Sequence, residues 1–165
     1  VRAGPEVDVV SPTIIAIDPG PERSAWLIWC ADHPVTFGIH DNAWLLDTLN
    51  VGHVRLGNLP IIWDRVVIER VEGFGMAVGA EVFETCVWTG RFWEAANMPV
   101  DRITRKAVKL HLCGTHRAKD PNVRQALIDR FGGPTSIRKG GQLYGVSKDV
   151  WSALAIAVAY SDGVR

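Results

Sequence analysis

The feature that most constrains this chain is a pair of short β-branched segments that each end in a carboxylate. An apolar run over residues 13–17 stops at Asp18-Pro19-Gly20, and a second run over residues 65–68 stops at Glu69. Short apolar runs bounded by turn residues are typical of buried strands. If the two strands are parallel neighbours, both carboxylates reach the same sheet edge, where open α/β sheets keep their sites.

The remaining patterns predict a sheet covered by helices. Strands over 24–30 and 34–40 lie close enough in sequence to form an antiparallel meander with the first strand, and a last strand is predicted over 100–103. We expect helices over 42–49, with Asn42 as the cap, and over 78–96, 105–112, 121–131 and 148–160, the last behind Ser147. The order predicts an α/β mixed sheet of three antiparallel strands plus parallel strands.

The composition limits the class of protein. We expect one domain over residues 1–165, with a loose start over 1–12 and no apolar run of the ~20 residues that a membrane helix needs. Three cysteines without a CxxC spacing favour buried thiols in a reducing cytoplasm over disulfides. The formal net charge of +0 argues against a protein that coats nucleic acid nonspecifically, so local charge matters more.

A cluster of acids is the chemistry to seek here. Two cations roughly 3.5 to 4 Å apart can hydrolyse a phosphodiester, and Mg²⁺ prefers carboxylate and water oxygens. Asp149, in the first turn of the predicted last helix, could face Asp18 and Glu69. Each acid also has an ordinary structural explanation, as a turn residue or as a partner of a helix dipole. Together, in this order of elements, the three acids favour a metal site.

At this point the sequence resembles the RuvC-type Holliday-junction resolvases of the RNase H-like superfamily, especially their shorter phage-borne branch, over residues 14–160. The motifs that carry the resemblance are Ile14-Ile-Ala-Ile-Asp18-Pro-Gly20, Val66-Val-Ile-Glu69, Gly75-Met-Ala-Val-Gly79, Glu81-Val-Phe-Glu-Thr85, Gly90-Arg-Phe92 and Ser147-Lys-Asp149-Val-Trp-Ser-Ala-Leu-Ala-Ile-Ala157. The first and the last are the most specific.

The resemblance implies a role for each acid. Asp18 would bridge two Mg²⁺ ions, for which Mn²⁺ would substitute, Glu69 would hold one ion and orient the attacking water, and Asp149 would complete the site. Family members carry a second acid one helical turn after the position of Asp149, where this chain has Ser152. Asp149 and Ser152 still share a helix face, so Ser152 could bind a metal-bound water or merely pack. Glu72 and Asp120 are possible substitute ligands, although an acid in such a position is more often solvated.

A basic segment runs from residue 102 to residue 119 without an acid. It holds the candidate DNA-binding residues Arg102, Arg105, Lys106, Lys109, Arg117 and Lys119. Phosphate contacts from such a segment give salt-dependent affinity, and the alternative is a solvated helix face. The resemblance places lysines of this segment near the scissile phosphate, which makes Lys109 and Lys119 the candidates for a catalytic role.

Three further features have two interpretations each. Phe74, between two glycines, could stack at a DNA branch point or be buried in a connector. His111, Cys113 and His116 lack a fourth ligand at tetrahedral-site spacing, so we reject a zinc site. The predicted helix from Val78 to Ala96 is apolar on several sides. The resemblance implies a dimer, with this helix as the candidate interface, and the alternative is a helix enclosed within one subunit.

The sequence therefore predicts a metal-dependent, structure-selective endodeoxyribonuclease that resolves Holliday junctions or related branched DNA. We expect it in the cytoplasm of a bacterium, or of the bacterial host cell if a phage encodes it. The alternatives are a flap or fork nuclease without strict junction preference and a catalytically weak junction-binding protein. Asp18-Pro19-Gly20 also resembles the first phosphate loop of actin-like and sugar-kinase-like nucleotide binders, but those need two such domains.

Overall fold

The computed structural model describes residues 12–73, 75 and 77–165. Its strands are β1 (Ile14–Asp18), β2 (Arg23–Cys30), β3 (His33–Asp41), β4 (His53–Leu56), β5 (Leu59–Ile62), β6 (Arg65–Arg70) and β7 (Val100–Thr104). Its helices are α1 (Asn42–Val51), α2 (Ala80–Ala95), α3 (Arg105–Cys113), α4 (Asp120–Arg130) and α5 (Val150–Ser161). The expected loose start over 1–12 lies, apart from Pro12, outside the described residues.

The main sheet has five strands in the order β3-β2-β1-β6-β7. β1, β2 and β3 form the antiparallel meander, and β6 and β7 continue the sheet parallel to β1. This confirms the predicted α/β mixed sheet flanked by helices. None of the helices in the described part of the chain is both long and apolar enough to cross a membrane.

Alternation along the strands divides the core into two layers. Ala16 and Val67 belong to the cluster that contains α5, whereas Ile17 and Ile68 belong to the cluster on the opposite face, with α1 and α2. Successive side chains of a strand point to opposite faces, so any residue two positions after Ala16 or Val67 also faces α5. That rule decides on which side of the sheet the two strand-ending acids emerge.

α5 lies directly against the sheet because its sequence is almost entirely small and apolar. Alanine occupies four positions between Ala153 and Ala159, and every α5 residue except Ser152 and Ser161 is buried. Alanines bring the helix axis close to β1 and β2, and burial of the whole helix stabilises the layer at roughly 25 cal/mol per Å² of apolar surface. Ser152 is therefore a polar group on a helix that otherwise packs into the core.

A hairpin formed by β4 and β5 is the main element that the sequence patterns did not indicate. Its strands have four residues each, they are joined through Gly57 at φ +61°, and they pair with each other outside the main sheet. Leu56, Leu59 and Ile62 are exposed. β4 alternates over its four residues, but β5 does not alternate and contains Pro60, so only one of the two strands carried a strand pattern beside the two-residue turn at Gly57-Asn58.

Both predicted helix caps were wrong. Asp41 is the N-cap of α1, and Asn42 is the first helical residue. The Asn42 side chain is instead 1% exposed, where it accepts a 2.6 Å hydrogen bond from the Ser24 hydroxyl and donates to the Gly20 carbonyl at 2.9 Å. At the other end, Asp149 rather than Ser147 is the N-cap of α5. Tertiary hydrogen bonds thus override the local capping preference of Asn42.

We predict that Asn42→Ala lowers the free energy of unfolding by about 1–3 kcal/mol, because it leaves the buried Ser24 hydroxyl and the Gly20 carbonyl without their partner. Chemical denaturation at equilibrium measures the change. Asn50→Ala in the same helix is the control, since Asn50 is exposed and its side chain makes no hydrogen bond to any residue that the structure describes. Equal effects of the two substitutions would contradict the role given to Asn42.

Candidate active site

The register of two parallel strands brings Asp18 and Glu69 together. Ile17 of β1 is the partner of Ile68 in β6, so the next residue on each strand is an acid. Both acids follow the alternation of Ala16 and Val67 and therefore emerge on the face covered by α5. The structure thus places the two carboxylates side by side at the carboxyl end of the parallel strands, as the sequence argument expected.

α5 supplies the polar groups opposite this pair. The Ser152 hydroxyl lies near Asp18 and lowers the pKa of that carboxyl. Asp149, at the N-terminal end of the helix, is exposed and acts on Asp18 through its charge. Asp18, Glu69 and Ser152 are therefore gathered in one place, while Asp149 stands at the rim.

The environment of Asp18 disfavours its negative charge. The pKa of Asp18 is raised to about 7, mainly by burial and also by the neighbouring Glu69 and Asp149 carboxylates, while Arg105 and the Ser152 hydroxyl lower it. Burial also raises the pKa of Glu69, against the opposing influence of Arg105. Arg105 therefore does not offset the burial of the two carboxylates, and a divalent cation would supply further positive charge.

Arg105 is the cation that does lie against this pair. It is the first residue of α3, which begins directly after β7, and Glu69 lies opposite Ile103 in that neighbouring strand. The guanidinium is 3.6 Å from a Glu69 carboxylate oxygen and 2.8 Å from Asp120 Oδ1. Lys109 Nζ lies 3.3 Å from the same Asp120 oxygen. Asp120 is therefore the anion that holds two cations beside the acidic pair.

Open depressions surround these groups. One, of about 280 Å³, is lined by Asp18, Glu69 and Glu72. Glu72, a possible substitute ligand, therefore lies beside the two acids. A second, of about 530 Å³, contains Asp149 and lies between β3 and the segment before α5. A small cavity of about 40 Å³ between Glu69 and Ser152 has Trp151 and Val108 in its wall. The acids are thus reachable from outside the protein.

The basic segment divides into an inner and an outer part. Arg105 and Lys109 are partly buried at the acids, whereas Lys106, Arg117 and Lys119 are exposed. Arg102 stacks over the Trp93 ring at 4.5 Å, on the side of α2. Phe74 lies outside the described residues, so its predicted contact with DNA stays a prediction.

His111 has a structural partner. Its Nε2 atom lies 2.7 Å from an Asp162 oxygen, and Arg130 holds the same carboxylate through two hydrogen bonds. This ion-paired cluster joins α3, α4 and the end of α5, and it explains the histidine without a metal.

Sequence reasoning missed the groups that complete the site. The sequence suggested Arg105 as a DNA contact and Asp120 as a substitute ligand. In the structure Arg105 forms ion pairs with both Asp120 and Glu69. Trp151 was not singled out, although it forms part of the wall next to Ser152. The one sequence signal for Arg105 was its position directly after the predicted strand β7. That position indicates a contact with Glu69 only once β7 is known to pair with β6.

The residues present fit a divalent cation with oxygen ligands. Asp18 and Glu69 offer carboxylate oxygens and Ser152 offers a hydroxyl, which is the donor set that Mg²⁺ and Mn²⁺ accept. Within residues 12–73, 75 and 77–165, no three acidic, histidine or cysteine side chains converge closely enough to hold an ion by themselves. A neutral oxygen donor such as Ser152 would add a third protein ligand to the two carboxylates.

Comparison with known proteins shows the fold. No family model matches the sequence, and no curated protein matches it. A structure of Thermus thermophilus RuvC has a TM-score of 0.64 at 16% identity, covering 90% of this chain and 93% of that one. The T. thermophilus RuvC in complex with a Holliday junction substrate has a TM-score of 0.64 at 17% identity, covering 91% and 93%. The chain has the RuvC-like, RNase H-like α/β fold.

We predict that Asp18→Asn changes how the stability of the metal-free protein depends on pH. Since the pKa of Asp18 is about 7 in the folded chain against 3.8 ordinarily, its stabilising contribution is complete below pH 4 and is lost as the pH rises through 7. The loss, on the order of 2–4 kcal/mol, should be absent from Asp18→Asn. Denaturation in EDTA from pH 5 to pH 8.5 measures it.

Asp47→Asn, on the exposed side of α1, is the control and should follow the wild-type pH dependence. Adding Mn²⁺ at pH 8.5 should restore the lost stability of the wild type. If the pH dependence of stability were the same for the wild type and Asp18→Asn, the surroundings of Asp18 would not raise its pKa.

Proposed function

We propose that this chain is a metal-dependent, structure-selective endodeoxyribonuclease that resolves Holliday junctions or related branched DNA. The observation that carries the proposal is the pair formed by Asp18 and Glu69, two half-buried carboxylates on adjacent parallel strands. Partial burial and the charge of Glu69 raise the pKa of Asp18 to about 7. Such a pair destabilises the protein unless a cation is bound, so it is better explained by function than by folding. The RuvC-like fold supports the same reading.

The proposed site holds Mg²⁺, or Mn²⁺ in its place, with two cations per active site. Asp18, Glu69, Asp149 and Ser152 are the proposed ligands, with Asp149 reaching the site from its open rim. When bound, the metal makes a water nucleophilic and stabilises the charge that develops on the leaving oxygen. Glu69, lying between the depression that holds Asp18 and the pocket that holds Ser152, is positioned to orient the attacking water.

Cationic side chains would bind the DNA backbone around this centre. Lys109 and Arg105 stand nearest the acids, where a scissile phosphate would lie. Lys119 is the exposed N-cap of α4, directly before Asp120, and is the second proposed lysine near the phosphate. The outer contacts proposed are Arg102, Lys106, Arg117 and Phe74. Such contacts position the backbone without reading sequence, which suits an enzyme that selects DNA shape.

Branched DNA is the proposed substrate because one structural neighbour is described in complex with a Holliday junction substrate. A four-way junction has two equivalent strands to cut, and a two-fold dimer presents one site to each. The proposed setting is the cytoplasm of a bacterium or of a phage-infected bacterial cell. Assignment to the phage-borne branch rests on the sequence motifs alone.

The proposed dimer interface is the exposed side of α2. Phe83, Val87 and Trp93 are 62%, 56% and 45% exposed on this helix, although Phe92 on its other side is fully buried. Phe83 and Val87 are four residues apart and therefore lie on one helix face. An apolar strip on a helix already packed on its opposite side is suited to a second copy of the chain.

Two alternatives use the same fold. A nuclease for flaps or forks would need the same metal site without junction preference. A catalytically weak junction-binding protein is favoured by one observation, namely that Ser152 stands where a third close acid would strengthen metal binding. Cleavage assays separate these classes.

We predict that the wild type cuts a synthetic four-way junction with Mg²⁺ or Mn²⁺ and not in EDTA, and that Asp18→Asn lowers the rate at least about 100-fold, because removing one carboxylate removes a metal ligand. Junction binding, measured by gel shift in Ca²⁺, should stay within a few-fold, since the basic contacts remain.

Asp47→Asn should cut like the wild type. Parallel reactions on linear, flap and forked DNA distinguish a resolvase from a general branched-DNA nuclease. Binding without cutting in either metal would support the weak binding protein, and cutting by Asp18→Asn would place the active site elsewhere.

We predict that Val87→Glu converts the dimer to a monomer, because two buried carboxylates would face each other across the two-fold axis. Light scattering coupled to size-exclusion chromatography measures the mass. Val51→Glu, at an equally exposed valine that ends α1, should leave the dimer intact. A monomeric wild type, or a dimer in both variants, would refute α2 as the interface.

A further inference from the structure

The ion pairs of Arg105 with acids of the site are not explained by a contact with DNA alone. A DNA contact would be expected to point outward with its guanidinium hydrated, as Lys106 and Arg117 are exposed. The Arg105 guanidinium instead lies between two carboxylates, 3.6 Å from Glu69 and 2.8 Å from Asp120. Its charge also acts on Asp18. Arg105 therefore interacts with Asp18, Glu69 and Asp120. The Glu69 side chain is only 16% exposed.

The two contacts of Arg105 differ in kind. The shorter contact, to Asp120, is a hydrogen bond on the outer side, and Asp120 is 68% exposed. The longer contact, to Glu69, is an ion pair at the inner end of the guanidinium. Lys109 shares the Asp120 oxygen at 3.3 Å, so the outer anchor is stabilised by two cations. Loss of the inner contact would leave Arg105 bound to Asp120.

We propose that Arg105 is a resident counter-cation of the metal centre, which a divalent metal displaces from Glu69 and which Asp120 retains at the edge of the site. The inference rests on the proposed metal-dependent function. Arg105 neutralises the acids when no metal is bound, and a metal must compete with its charge for Glu69. Asp120 makes the exchange easier because it holds the released guanidinium with an existing hydrogen bond.

The charge of Arg105 has a measurable consequence for metal affinity. A fixed positive charge next to a dication is repulsive, so Arg105→Gln should bind Mn²⁺ more tightly, by roughly tenfold for charges several ångströms apart in a partly hydrated site. Arg105→Lys keeps the charge and should stay near the wild type. Arg55→Gln removes an equal charge from the exposed hairpin strand β4 and should bind like the wild type.

The role of Asp120 is tested through Arg105. Asp120→Asn should weaken Mn²⁺ binding because it removes both a negative charge and the carboxylate that retains the displaced Arg105 guanidinium. In the Arg105→Gln background the second contribution is gone, so the same substitution should weaken binding less. Equal effects of Asp120→Asn in the two backgrounds would show that Asp120 acts by charge alone and would overturn the exchange.

The experiment titrates DNA-free protein with Mn²⁺ at pH 8 and follows free Mn²⁺ by electron paramagnetic resonance. Circular dichroism confirms that each variant is folded, and Arg105→Lys provides a readout if Arg105→Gln is not. Tighter binding by Arg105→Gln alone supports the proposal. Unchanged or weaker binding by it, with a wild type that binds Mn²⁺, overturns the proposal and leaves the nuclease function standing. A wild type that binds no Mn²⁺ refutes the metal-dependent function itself.

Discussion

The parallel pairing of β1 with β6 is the interaction on which the candidate site depends. Ile17 faces Ile68 across this pair, and the acids that follow them are therefore neighbours on the face covered by α5. A shift of the register by one residue would send one carboxylate to the opposite face, into the layer of Ile17 and Phe92. The burial of two apolar layers fixes this register, and thereby holds two like charges together at a cost.

That cost is reduced by elements from elsewhere in the chain. β7 pairs with β6 and leads directly into α3, which delivers Arg105 to Glu69. α5 brings the Ser152 hydroxyl to Asp18 from the other side. Neither group neutralises the acids fully, since the pKa of Asp18 still rises to about 7. The centre is thus stable enough to form and remains attractive to a cation, which is the balance expected of a metal-binding nuclease.

The sequence predicted the parts of the structure that depend on local pattern. Apolar β-branched runs identified β1 and β6, and the acids that follow these runs are Asp18 and Glu69. The sequence also predicted β2, β3 and β7. It failed where tertiary contacts override local preference. Asn42 reads as a helix cap, yet it is buried against Ser24 and Gly20 because the turn after Asp18 needs its amide. The hairpin of β4 and β5 escaped prediction because each strand has only four residues and β5 contains Pro60 and does not alternate.

The sequence by itself determined the strands of the main sheet, the helices and the carboxylates that follow the apolar runs of β1 and β6, since these follow from periodicity and from residues adjacent in the chain. Only the tertiary structure decided the partners of those carboxylates. Arg105 and Asp120 are 15 residues apart, and Arg105 and Glu69 are separated by a strand and a helix, so no local pattern relates them. Strand register and helix packing bring these charges into contact, and long-range burial sets both.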